Sequence, residues 1–249
     1  MRFAVLQTGR SAPRARERLG NYGEMFVRLF AEPGTTWEVV NVAGDEFPAR
    51  VADYDGYVIT GSKYSVNDDK PWIHRLFAFI REMHAAEVRV VGCCFGAQAV
   101  AVALGGEVRP NPLGWDLGLR EVAPSPAGRA VPALAGAPWP LRILESHRDI
   151  VTRLPAQAVH LGASARTPHE LFAVGENMLC LQGHPEFDGA VIEEVIELMQ
   201  DDLTPEELRL ARDAMGQAPH RDFLREHLLG FLMRRLHVAP PAASAARQS

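Results

Sequence analysis

The chain has 249 residues, of which 47% are hydrophobic and 23% charged, and its formal net charge at pH 7 is −5. These values are ordinary for a globular protein with one sizeable core, and an acidic chain without a basic stripe argues against nucleic acid as a partner. No run of eighteen apolar residues is present to span a bilayer, and the first residues lack the apolar core of a signal peptide. We therefore expect a cytoplasmic protein with no membrane partner.

Through the first hundred residues, short apolar runs alternate with longer helical patterns. The predicted strands are residues 2–9, 36–44, 55–62 and 88–93, and the predicted helices are residues 20–32, 71–87 and 95–106. Such alternation is typical of right-handed βαβ units, in which helices cover both faces of a parallel sheet. We predict an α/β fold: an open, mostly parallel sheet with helices on both faces.

The middle and the end of the chain have different patterns. Short strands without intervening helices predict a small antiparallel extension, at residues 115–123, 141–151 and 158–165. An apolar strand returns at residue 177, and helical patterns then follow at residues 189–202, 204–215 and 221–238. We expect one domain at 1–199 and a C-terminal helical extension at 200–238. The Pro- and Ala-rich tail, 239–249, is expected to be disordered.

Only three cysteines are present, and two of them are neighbours at a predicted strand-to-helix corner. Cys93, Cys94 and Cys180 form neither a disulfide framework nor a CxxC pattern, and the nine histidines lack a metal-ligand spacing such as HExxH. We expect three reduced thiols, no metal and no other cofactor. Burial as a small apolar side chain accounts for Cys93 and for Cys180.

Cys94 is bracketed by glycines in the segment Gly92-Cys93-Cys94-Phe95-Gly96. The spacing G-x-C-x-G between a strand and a helix is that of a nucleophile elbow, in which a strained turn presents the central side chain at the carboxyl edge of the sheet. The helix N-terminus favours a thiolate, and the N–H of the next residue is placed to donate to an oxyanion. We predict that Cys94 is a nucleophile, and the alternative is a third buried structural thiol.

A histidine and a glutamate follow another apolar strand, in the segment Gln182-Gly183-His184-Pro185-Glu186. This strand should also end at the carboxyl edge of the sheet, and therefore near Cys94. A cysteine nucleophile needs a general base within reach, and the base needs a third group that fixes its tautomer. We predict a catalytic triad of Cys94, His184 and Glu186.

Two of these segments, GCCFGAQ and QGHPE, resemble the signature motifs of class I, triad-type glutamine amidotransferases, G-x-C-x-G-x-Q and HPE. VITGS and ESHRDIV are similar to the oxyanion-strand and Ser-His-x-Asp segments of the same family, the latter in relatives of the GMP synthetase amidotransferase domain. The four motifs occur in family order within residues 2–199, which implies the flavodoxin-like class I glutamine amidotransferase fold for domain 1–199. Ala97 stands where many members have histidine, a departure that lies outside the triad.

The resemblance implies a role for each matching residue. Cys94 would be the nucleophile, His184 the base and then the acid, and Glu186 the group that orients His184. The N–H groups of Gly61 and Phe95 would form the oxyanion hole. The implied chemistry is hydrolysis of a γ-glutamyl amide bond through a γ-glutamyl thioester.

Glutamine or another γ-glutamyl small molecule is therefore the expected binding partner. Gln98 and Ser146 would hold the α-amino or carboxylate end of this substrate. The alternatives are an ordinary helix residue for Gln98 and a strand-capping residue for Ser146. No GxxxxGK[ST] phosphate loop is present, and the roughly fifty residues beyond the match are too few for an ATP-using domain.

Three functions fit these observations. The first is a stand-alone glutaminase or γ-glutamyl peptidase, similar to the γ-glutamyl peptidase branch of the superfamily. The second is a glutaminase subunit that delivers ammonia to a separate synthetase partner. The third is a non-catalytic binding protein on the same fold, which an intact triad disfavours.

Overall fold

The computed structural model describes residues 1–11, 13–213 and 216–238. Eight helices lie in this part of the chain: α1 Pro13–Leu19, α2 Tyr22–Phe30, α3 Pro71–Ala85, α4 Phe95–Ala103, α5 Pro126–Ala130, α6 Gly189–Met199, α7 Pro205–Asp213 and α8 Arg221–Leu232. The tail predicted at 239–249 and the last two residues of the helix predicted at 204–215 lie outside the described residues.

The same residues form eleven strands in two sheets. The strands are β1 Arg2–Leu6, β2 Thr36–Val40, β3 Gly56–Ile59, β4 Arg89–Cys93, β5 Glu107–Pro110, β6 Asp116–Pro124, β7 Leu141–His147, β8 Asp149–Arg153, β9 Ala158–Ala163, β10 Leu171–Val174 and β11 Met178–Leu181. The large sheet has the order β2-β1-β3-β4-β11-β10-β9-β6-β7, and β5 pairs with β8 in a separate ribbon.

The first five strands of the large sheet are parallel, and the remaining four continue it in antiparallel pairings. Apolar side chains alternate between the two faces of β1, with Ala4 and Leu6 on one face and Phe3 and Val5 on the other. Helices α3 and α4 cover the first face, whereas α2 and α8 cover the second. The predicted α/β sheet, mostly parallel with helices on both faces, is confirmed.

The antiparallel region differs from the sequence prediction at one functional position. Residues 141–151 were expected to form a single strand, but the chain leaves the large sheet after His147 and enters the β5–β8 ribbon at Asp149. The backbone carbonyl of Asp149 is bound there by the side chain of Gln98, at 2.8 Å from Nε2, and by the ring of His147. This change of sheet brings residues 146–149 to the edge where the parallel strands end.

The C-terminal helices pack on this framework. Leu224, Leu228 and Phe231 of α8 are buried in the same apolar cluster as the strands β1, β3 and β4. Helix α7 begins with a capping box, since Thr204 Oγ1 accepts a hydrogen bond from the N–H of Glu207 and the Glu207 carboxylate accepts one from the N–H of Thr204. Within the described ranges, no helix has the length and apolar character that crossing a bilayer requires. The division at residue 199/200 stays a prediction.

Candidate active site

Cys94 occupies the turn between β4 and α4 in a strained backbone conformation. Its φ of 51° and ψ of −110° lie where side chains other than glycine are rare. The N–H of Cys94 donates to the carbonyl of Leu181 at 3.0 Å, which holds the turn against the end of β11. The side chain consequently leaves the sheet at the carboxyl edge and lines a cavity.

The glycines on either side of Cys94 are required by close backbone approaches. A Cβ on Gly92 would lie 2.9 Å from the carbonyl oxygen of Gly96, and a Cβ on Gly96 would collide with the carbonyl of Ile59. The N–H of Gly96 in turn donates to the carbonyl of Thr60 at 3.1 Å. The G-x-C-x-G spacing therefore has a steric reason: strand, turn and helix are in direct backbone contact.

His184 and Glu186 form a buried hydrogen-bonded pair after β11. Nδ1 of His184 is 2.8 Å from Oε1 of Glu186, and the imidazole stacks on the ring of Phe187 with 4.0 Å between ring centroids. Burial alone would lower the pKa of His184, but the charges of Glu186 and Cys94 and the hydrogen bond to Glu186 hold this pKa well above its usual value. The protonated form of the imidazole is thereby favoured.

Gly61 lies between the cysteine and the histidine. A Cβ at this position would be 3.6 Å from the Cβ of Cys94, an ordinary contact, but 2.7 Å from Cε1 of His184, so any side chain would displace the imidazole. Neither the N–H of Gly61 nor that of Phe95 donates a hydrogen bond to another group in the described ranges. Both donors are therefore available near the thiol of Cys94.

The two predicted substrate-binding residues lie in the cavity lining together with Cys94. Nε2 of Gln98 donates to the carbonyl of Asp149 at 2.8 Å and to Oε1 of Gln182 at 3.2 Å, so the amide oxygen Oε1 is the atom of Gln98 left for a ligand. The carbonyl oxygen of Ser146 is 3.9 Å from the Sγ of Cys94. Both Gln98 and Ser146 line the cavity.

The cavity has a volume of about 920 Å³ and includes residues that the motif analysis did not single out. Tyr22 stands beside His184, with 6.4 Å between ring centroids, and its pKa is raised by burial and by the charges of Glu186 and Cys94. The carboxylate of Asp149 accepts a hydrogen bond from Ser65 Oγ at 2.6 Å. Asp149 could have been found from the Ser-His-x-Asp match, whereas Tyr22 belongs to a helix without any motif.

The remaining thiols lie away from the cavity. Cys93 and Cys180 are completely buried, and burial raises the pKa of both. Ala97 stands at the position where many family members have a histidine. It is buried in the apolar cluster that α3 and α4 form with the sheet. In the part of the chain that the structure describes, no group of three or more His, Cys, Asp or Glu side chains is arranged to hold a metal ion.

Comparisons with known proteins identify the family of the chain. The family model of "Glutamine amidotransferase class-I" matches residues 19–197. "Gamma-glutamyl peptidase 3" of Arabidopsis thaliana is 30% identical over 79% of this chain and 81% of its own, and a "GMP synthase [glutamine-hydrolyzing]" of Streptococcus pneumoniae is 28% identical over 66% of this chain and 31% of its own. A glutamine amidotransferase structure from Methylobacillus flagellatus has the same fold, with a TM-score of 0.76 at 23% identity over 97% of both chains. The chain therefore belongs to the class I glutamine amidotransferase family.

Proposed function

We propose that this protein hydrolyses γ-glutamyl amide bonds by itself, with Cys94 as the nucleophile and His184 and Glu186 as its catalytic partners. One observation carries the proposal: the thiol of Cys94, held by a strained backbone turn, lies beside a buried His184–Glu186 pair in the lining of a large cavity. The free thiols fit a reducing compartment, and we propose the cytoplasm as the location.

The reaction has two halves. The thiolate of Cys94 attacks the γ-carbonyl carbon, and the charge that develops on oxygen is stabilised by the N–H groups of Gly61 and Phe95. His184 then gives its proton to the leaving amine as the C–N bond breaks, which leaves a γ-glutamyl thioester. Water, deprotonated by His184, attacks this thioester, the C–S bond breaks, and glutamate is released with the thiolate regenerated.

The glutamyl end of the substrate would bind beyond Cys94. Oε1 of Gln98 and the carboxylate of Asp149 are acceptors that fit the α-ammonium group. Ser146 lines the same cavity, and its hydroxyl would bind the α-carboxylate. This assignment uses the two predicted residues and adds Asp149.

The charge of the cavity lining supports an amino acid or peptide as the leaving group. Four basic side chains line the cavity: Arg10, Arg16, Lys63 and Arg148. None of them forms an ion pair with a residue in the described ranges, and Asp149 alone supplies a carboxylate among the described lining residues. A concentration of unpaired positive charge in a chain of net charge −5 fits an anionic ligand.

The test compares γ-glutamyl-phenylalanine with γ-glutamyl-phenethylamide, which differ only in the carboxylate of the leaving group. The purified chain, without ATP or a partner, should cleave the first with a kcat/KM about tenfold higher, and salt should reduce the difference because it screens exposed charges. Arg148→Ala should reduce the ratio, whereas Arg153→Ala, outside the cavity, should not. No turnover of either compound would contradict the proposed activity, and equal turnover would contradict the anionic leaving group alone.

A glutaminase subunit is the second candidate, and the similarity to the GMP synthase of Streptococcus pneumoniae favours it. In that case a synthetase partner would receive ammonia, and the isolated chain would have almost no hydrolase activity. The deciding result is a chain that is inert toward all γ-glutamyl compounds but hydrolyses glutamine once a synthetase is added.

A further inference from the structure

Two glutamates are buried beside the segment that carries His184. Glu145 lies in β7 and Glu170 directly precedes β10, and their exposures are 0% and 1%. The backbone of residues 182–184 is hydrogen-bonded to the chain at both glutamates. The N–H of Gln182 donates to the carbonyl of Glu170, and the N–H of His184 donates to the carbonyl of Leu144, each at 2.8 Å. The reaction outlined above uses neither carboxyl group.

The two carboxyl groups lie close enough for the charge of Glu145 to act on Glu170. None of their four oxygens accepts a well-formed hydrogen bond from a donor in the described ranges. The Glu145 carboxyl lies below Gly183, where a Cβ would collide with its Oε1. Burial raises the pKa of both groups, and the charge of Asp116 adds to this at Glu145 while the charge of Glu145 adds to it at Glu170.

The contact between His147 and Glu145 can be stable only if one of the two facing atoms carries a proton. Nδ1 of His147 is 3.1 Å from the carbonyl oxygen of Asp149, which can only accept, so Nδ1 carries a hydrogen. Nε2 of the neutral ring is then an acceptor, and it faces Oε2 of Glu145 at 3.3 Å. Two acceptors at this distance repel unless one of them carries a proton. Burial lowers the pKa of His147, which assigns the proton to Glu145.

We propose that Glu145 stays protonated in the folded protein at neutral pH, donates to Nε2 of His147, and thereby acts as a positioning residue for Gln98 and Asp149 of the substrate-binding site. The carbonyl of Asp149 makes the connection, since it binds the ring of His147 and also Nε2 of Gln98 at 2.8 Å. The positioning role rests on the proposed function, whereas the proton on Glu145 does not.

Burial and the charge of Asp116 oppose ionisation of Glu145, and together they outweigh the charges of Arg120 and His184, which favour it. The titratable and charged groups facing Glu145 come from β6, from β7, from the residue before β10 and from the segment after β11: Asp116, Arg120, His147, Glu170 and His184. Since the carboxyl has a higher pKa in the folded than in the unfolded chain, its contribution to stability is complete at low pH and is lost as the pH rises through the folded value.

The first experiment counts protons. The wild-type protein and Glu145→Gln are unfolded in guanidinium chloride at pH 7 with minimal buffer, and the protons released are titrated. The wild type should release about one proton more, because an unfolded glutamate is ionised at this pH. Glutamine retains an N–H donor for His147 and removes the titration, and Glu121→Gln, at an exposed position of β6, is the matched control. Equal release by wild type and Glu145→Gln overturns the proposal, whether or not any substrate is cleaved.

The second experiment tests the positioning role with a γ-glutamyl substrate. The KM of the wild type should rise at alkaline pH, whereas Glu145→Gln should have the wild-type KM at pH 7 and no such rise. Glu145→Leu, which has no donor for His147, should raise KM about tenfold with a smaller change in kcat. Identical alkaline KM profiles for the wild type and Glu145→Gln overturn the positioning role, and this comparison stands if Glu145→Leu does not fold.

Discussion

Cys94 and Cys93 are adjacent thiols whose backbone conformations give them opposite orientations. Cys94 has a positive φ and lines the cavity, whereas Cys93 ends β4 and is buried in the core. We expect Cys94→Ala to lower the hydrolysis rate by at least about 10³-fold, since the covalent route is lost, and Cys93→Ala to keep most of the activity. Hydrolysis assays with circular dichroism as the folding control measure both. An inactive Cys93→Ala protein beside an active Cys94→Ala protein would contradict the assignment.

The three thiols should also differ in reactivity. The raised pKa values of Cys93 and Cys180 keep them protonated, and neither side chain is exposed, whereas Cys94 lines the cavity beside His184. Brief treatment with iodoacetamide at pH 7, followed by peptide mapping, should therefore label Cys94 first. Labelling at equal rates in the folded protein would remove the case for an activated nucleophile.

His184 and Glu186 should contribute unequally to the rate. His184→Ala removes the group that transfers protons, and we expect a loss of about 10³-fold or more in kcat. Glu186→Gln retains an amide oxygen that can accept from Nδ1 of His184, so a smaller loss is expected. Steady-state kinetics of both variants provide the comparison, and a larger loss in Glu186→Gln than in His184→Ala would contradict these roles.

At the scale of secondary structure elements, the contact of α4 with β3 depends on Gly96. A Cβ there would collide with the backbone carbonyl of Ile59, which cannot move without displacing β3. Alanine is favoured over glycine in a helix by up to about 1 kcal/mol, whereas overpacking costs about 1–3 kcal/mol. Because the obstacle is backbone, we expect a net loss of about 2 kcal/mol in Gly96→Ala, measured by urea denaturation.

Gly189→Ala is the control for this substitution. Gly189 begins α6, and a Cβ at that position has no atom within 4 Å in the described structure. Its free energy of unfolding should stay within about 0.5 kcal/mol of the wild type or increase slightly. A Gly96→Ala protein as stable as Gly189→Ala would show that the elbow tolerates a side chain.

Sequence patterns were sufficient where an element has a strong local signal. The alternation of β4 and α4 and the glycines around Cys94 predict the corner, and the apolar strand before His184 predicts that both residues meet at one edge. The break between β7 and β8 could not be predicted, since residues 141–151 read as one apolar strand and the break depends on contacts of the Asp149 carbonyl with Gln98 and His147. Nor does a local pattern reveal that Arg10 and Arg148, far apart in sequence, line one cavity.

At the scale of the whole molecule, α8 connects the C-terminal region to the sheet. Leu228 is 2% exposed and belongs to the apolar cluster of β1, β3 and β4, and Arg225 Nε of the same helix donates to the carbonyl of Leu29 in α2 at 2.7 Å. A separate extension would make few such contacts. We therefore expect residues 200–238 to unfold together with the sheet.

Leu228→Ala tests this cooperativity. Removing a buried leucine side chain should lower the free energy of unfolding by about 2–5 kcal/mol, which corresponds to a Tm lower by roughly 4–20 °C for a chain of this size. The loss should move one common transition, seen alike by far-ultraviolet circular dichroism and by tryptophan fluorescence, because Trp37 packs against the same cluster on the sheet. Glu226→Ala, on the exposed side of α8, should change stability by less than about 0.5 kcal/mol. If Leu228→Ala instead produces an early transition in helicity while the fluorescence transition stays at its wild-type temperature, α8 unfolds independently and residues 200–238 form a unit of their own.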